Sequence, residues 1–146
     1  MSPGRLEVEI TESLLLQDHE GVLATLQHIR ALGVRVSMDD FGAGYSSLSF
    51  LRRSPFDKIK IDQSFIRDLH VGDDCTAIVR AVLGLGRSLG MAVITDEVET
   101  AEQLAFLKHE GCQQVQGYLF SRPKPIAFAS GLLRDQIDAC EPAHSA

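Results

Sequence analysis

The chain contains no tryptophan and only two tyrosines among its 146 residues. Its three cysteines, at positions 75, 112 and 140, are odd in number and form no CxxC pair. Neither a disulfide framework nor a thiolate zinc site is therefore expected, and a reducing cytoplasm is the simplest location. The five histidines show no HExxH or related pairing, which argues against histidine-based metal binding. No apolar run approaches the roughly 20 residues needed to span a bilayer. The opening "MSPGR" has no hydrophobic signal region. Basic residues are also in deficit. The formal net charge is −6, which gives no support to binding of a DNA or RNA polymer. A nucleotide ligand stays open, because a bound cation reverses the local sign.

What is present is an ordinary soluble composition, 45% hydrophobic and 23% charged, in one domain large enough to bury a core. Two segments align without gaps, "ALGVRVSMDD" (31–40) and "SLGMAVITDE" (88–97). Each closes a helix with leucine, places glycine at the C-terminal cap, and runs through a short apolar strand to a pair of acids. "HEGCQQVQGY" (109–118) follows the same plan, with Gln116 near the acidic position. Glycine after a helix suits the left-handed cap conformation. Repeated helix–glycine–strand units predict parallel strands in an α/β fold. The spacing predicts strands over 6–10, 35–39, 58–62, 92–96 and 115–120. Helices are predicted over 19–32, 46–53, 75–89, 101–109 and 125–138.

Side chains alternate along a strand, so each predicted strand can be divided into two faces. Leu6, Val8 and Ile10 oppose Glu7 and Glu9. Val36 and Met38 oppose Arg35, Ser37 and Asp39. Ile59 and Ile61 oppose Lys58, Lys60 and Asp62. Parallel strands are normally apolar on both faces. A charged face with its acids toward the strand C-termini fits a (β/α)8 TIM-type barrel, incomplete here with about five βα units, whose reactive mouth lies at those ends. "DDFG" alone is common turn chemistry. In a barrel, however, Glu9, Asp39, Asp40, Asp62 and Asp96 gather beside Lys60. Several carboxylates cannot all stay ionised together without counter-charge. Oxygen-preferring Mg²⁺ or Mn²⁺ ions answer that need, and two such ions are a known device for phosphodiester hydrolysis.

The motifs "LEVEITES", "DDFGAGYSSL", "KIKIDQSFI", "EVET" and "QGYLFSRP" resemble, in order and spacing, the EAL-domain cyclic di-GMP phosphodiesterases. The resemblance runs from about Leu6 to Pro125 and implies metal-dependent hydrolysis of cyclic di-GMP to linear pGpG. By the same resemblance, Glu9 and Asp39 are metal ligands, with Asp40 at the second ion and Asp62 in the same set. Lys60 lies beside the catalytic water, and Asp96 takes the place of the family's catalytic glutamate. Glu99 and Gln116 fall at substrate positions, and Glu12 steadies the "DFGAGYSS" loop, which is expected to couple the site to subunit pairing.

Two features depart from that pattern. The Glu-Ala-Leu motif and the strand carrying an asparagine ligand are absent from the 146 residues. "VITDEVET" stands where the family usually has "VVAEGVET", so Asp96 replaces Glu and Glu97 replaces Gly. The expectation is residues 1–140 as the C-terminal portion of an EAL domain with a tail over 141–146. Activity is expected to be impaired or absent. The other reading is an inactive cyclic di-GMP-binding or protein-interaction module. Either a homodimer or a complementing N-terminal half is the expected macromolecular partner.

Overall fold

A computed structural model of the chain describes residues 2–15, 19–42, 44, 48–69 and 73–125. Five strands alternate with helices: β1 (Glu7–Thr11), β2 (Arg35–Phe41), β3 (Lys58–Ile61), β4 (Ala92–Thr95) and β5 (Gln114–Val115). They form one sheet in the order β1-β2-β3-β4-β5, every neighbour parallel. The connections carry α1 (Glu12–Leu15), α2 (His19–Ala31), α3 (Leu48–Arg53), α4 (Gln63–Arg67), α5 (Asp73–Leu89) and α6 (Ala101–His109). This is an open, incomplete βα barrel.

The core lies between the sheet and its helices. Val36, Met38, Ile59, Ile61 and Val93 meet Leu26, Val79 and Leu83 from the helices, all buried. The glycines expected to end helices do so in the left-handed region, with φ of +84° at Gly33, +70° at Gly90 and +79° at Gly111. Gly86 has a different role, because a β-carbon there would lie 2.2 Å from Val93 Cγ2, so glycine lets α5 lie close on β4. α6 begins with a capping box, in which the Thr100 hydroxyl accepts from Gln103 N–H and the Gln103 side chain accepts from Thr100 N–H.

Two expectations change. The strand predicted over 115–120 shrinks to Gln114–Val115, and the chain then turns. Gly117 packs directly on the Val98 backbone, and Phe120 N–H bonds back to the Gly117 carbonyl at 3.2 Å, so pairing cannot continue. β2 also runs past Asp39 to Phe41, through a register shift between Met38 and Phe41 against β3. Asp40 takes a φ of +54° there, inserting a bulge that lets Phe41 pair again with Ile61. Beyond Pro125, the helix expected over 125–138 and the tail over 141–146 fall outside the described residues. Among the described residues, no helix is long and apolar enough to cross a membrane.

Candidate active site at the strand ends

The bulge explains the adjacent aspartates. In a regular strand, Asp39 and Asp40 would face opposite sides. With Asp40 in the left-handed region, both line one cavity of about 510 Å³ at the C-terminal ends of the strands. Asp96, Glu97 and Gln116 line it too.

Lys60 organises the strand ends. It is buried on β3, and its Nζ lies 2.9 Å from Glu9 Oε2, 3.2 Å from Asp39 Oδ1 and 2.8 Å from Asp96 Oδ2. β1, β2 and the residue that follows β4 thus each contribute a carboxylate to one ammonium on β3. Burial by itself opposes the charge on Lys60. Hydrogen bonds to Asp96 and Glu9, with the Asp96 charge, outweigh it and raise the pKa well above the ordinary lysine value. Lys60 is therefore a cation and a donor at neutral pH. A second ionic layer lies toward the strand N-termini, where Glu7 pairs with Lys58 at 2.7 Å and with Arg35 at 3.6 Å.

One ammonium does not neutralise the upper layer. Asp40 has a raised pKa, first through partial desolvation and then through the charges of Asp39 and Asp62, with Asp96 adding to them against Lys60. Asp96 Oδ1 is buried and has no hydrogen-bond partner. The donors are all carboxylate oxygens, the chemistry that suits a hard divalent cation. The residues fit such an ion by charge and donor type. Among the described residues, however, no three such side chains stand gathered around one metal position; Lys60 Nζ occupies the point where Glu9, Asp39 and Asp96 meet.

The other expected residues are placed unequally. Asp62 caps α4, its Oδ1 accepting from Ser64 N–H at 2.8 Å and also from the Ser64 hydroxyl. Glu12 is buried, and its Oε2 accepts from Gly42 N–H at 3.1 Å and Gly44 N–H at 3.2 Å, the geometry of an acid that holds this loop. Gly44 is close enough to Glu12 that a β-carbon would lie 2.9 Å from its Cδ. Glu99 is exposed and outside the cavity lining, and its N–H donates to Gln103 Oε1 at 2.9 Å.

The sequence reading missed Gln63, Arg122 and Lys124, all on the cavity wall. Their signals were present but indirect. Gln63 follows the β3 acid, and Arg122 and Lys124 flank a proline just after the fifth strand.

The sequence matches the EAL domain family over residues 1–123. It is 44% identical over 141 residues to the cyclic di-GMP phosphodiesterase NbdA of Pseudomonas aeruginosa, covering 96% of this chain and 18% of that protein. The solved PaMucR phosphodiesterase, in complex with c-di-GMP, superposes with a TM-score of 0.85 at 42% identity, over 88% of this chain and 52% of that one. Klebsiella pneumoniae BlrP1, in a manganese/cy-diGMP complex, gives a TM-score of 0.79 at 38% identity, over 84% and 31% respectively. Among the curated relatives NbdA and four others, the chain spans only 16–19% of their length. By its strand order, its ordered motifs and these matches, the chain belongs to the EAL-domain family.

Proposed function

We propose that this chain carries the C-terminal part of a cyclic di-GMP phosphodiesterase site, cleaving the cyclic dinucleotide to linear pGpG with Mg²⁺ or Mn²⁺ in the cytoplasm. The observation that carries the reading is the convergence of Glu9, Asp39 and Asp96 on Lys60 beside the cavity that Gln116 also lines. Asp39, Asp40, Glu9 and Asp62 are the residues that would hold the cations. A divalent cation there supplies positive charge against the developing phosphate charge and acidifies water.

The chain's own groups have separable roles in this reading. Lys60 holds Asp96 Oδ2, while the buried Asp96 Oδ1 has no hydrogen-bond partner. Arg122 and Lys124 add positive charge to the cavity wall for a phosphodiester. Aspartate at position 96 is one methylene shorter than glutamate, a retreat of about 1.5 Å. A misplacement of roughly 1 Å can cost on the order of 100-fold in rate. The five described strands also leave the sheet open at β1 and β5. The chain alone is thus a weak binder with impaired or absent turnover, and a complementing N-terminal half is its natural partner.

Titration calorimetry of cyclic di-GMP with Mn²⁺ tests this reading. It should show binding in the micromolar range or weaker that disappears in Asp39→Asn. Binding that is tight and indifferent to both Mn²⁺ and Asp39→Asn contradicts it.

A further inference from the structure

Glu97 occupies the same place in the second helix–strand repeat that Asp40 occupies in the first. Their φ values are +56° and +54°, the two left-handed non-glycine residues among those described. Such conformations persist where neighbours hold them, and they gather at ligand sites. Glu97 is held. With its amide nitrogen turned toward the acid, Gln63 donates to both carboxylate oxygens, at 2.7 Å to Oε1. A neutral amide fixes the carboxylate but leaves its charge.

An aromatic surface lies beside it. Val98 N–H donates to the Gln116 carbonyl at 2.9 Å, and Leu119 N–H to the Val98 carbonyl at 3.0 Å, tying the residue after Glu97 to the turn that carries Tyr118. The Tyr118 ring is half exposed, and the Arg122 guanidinium lies over it at 5.1 Å from the centroid. Glu97, Tyr118 and Arg122 line one cavity. A flat ring with a guanidinium is a stacking platform for a nucleobase.

A carboxylate in a cavity that admits a phosphodiester weakens binding unless it meets hydrogen-bond donors. Guanine supplies them, since its N1–H and N2–H₂ stand side by side at the spacing of two carboxylate oxygens, and bonds to an ionised acceptor are the strong kind. Adenine turns the lone pair of N1 toward the same acid. We propose that Glu97 is a specificity-determining residue that reads the Watson–Crick edge of a guanine stacked on the Tyr118–Arg122 pair. This rests on the cyclic di-GMP reading above.

The test is calorimetric titration of the chain, with Mn²⁺ present, against cyclic di-GMP and cyclic di-AMP. Wild type is compared with Glu97→Gln and Glu97→Gly; glycine suits the positive φ and guards against misfolding as the explanation. The expected result is a loss of about 10-fold or more in cyclic di-GMP affinity, the scale of one bidentate base contact. Cyclic di-AMP affinity should be unchanged or improved, so the guanine preference collapses. A preference unchanged in both variants overturns the proposal, as does a parallel shift for the two ligands, which would make Glu97 a general charge effect. If wild type binds neither dinucleotide, the phosphodiesterase-site reading fails and this subsite fails with it.

Discussion

At the scale of single residues, Lys60 is the side chain on which the strand ends depend. Removing it leaves Glu9, Asp39 and Asp96 facing one another without a counter-charge. Lys60→Met should cost on the order of 2–3 kcal/mol in urea unfolding, below the full range for breaking a buried pair because Glu9 is half exposed. The pH dependence has a definite sign. The folded-state pKa is raised, so the stabilisation is fully present below the ordinary lysine value and lost only as pH rises through the folded one. The difference between wild type and Lys60→Met should stay flat between about pH 6 and 9, since both limits lie below the unperturbed lysine pKa. A difference that fades within that window would mean that Lys60 is not held as described. Asp39, Lys60 and Asp96 were legible in the sequence because alternation along a strand is a local rule. Asp40 joined them through a bulge that alternation does not announce, and the Gln63–Glu97 contact joins the start of α4 to the segment after β4.

At the scale of elements, the helix-to-strand junctions were legible because glycine at a helix end has a physical reason, and all three predicted positions adopt positive φ. The fifth strand was not, because an apolar run of "VQGYLF" reads as a strand until Gly117 meets the Val98 backbone. That contact gives a prediction. A β-carbon at Gly117 would lie 2.2 Å from both Val98 N and Val98 O, so Gly117→Ala must push the turn off the Val98 backbone. It should destabilise the protein by about 1–3 kcal/mol, the overpacking range, and displace Gln116 from the cavity. Thr100→Ala is the comparison. It loses the cap of α6 and costs about 1 kcal/mol, but it should leave cyclic di-GMP binding intact, because Thr100 lies outside the cavity lining. Equal effects of the two changes on ligand binding would separate the turn from the site.

At the scale of the whole molecule, the sheet has two open edges among the described residues, β1 and β5. Unpaired edges template association. An apolar cleft formed by Val8, Ile10, Val22 and Leu26 lies beside the β1 edge. Light scattering of the chain at micromolar concentration should therefore show self-association or aggregation, relieved by an N-terminal half that supplies the neighbouring strands. The central claim is that the strand ends form the C-terminal part of a phosphodiesterase centre. Its most direct test is hydrolysis of cyclic di-GMP, with Mn²⁺, by this chain fused behind the N-terminal half of an active EAL domain. The account predicts slow conversion to the linear dinucleotide, raised about 10²-fold by Asp96→Glu as the acid regains its reach, and abolished by Asp39→Asn. A folded fusion that hydrolyses none even with Asp96→Glu, or whose hydrolysis survives Asp39→Asn, would contradict it.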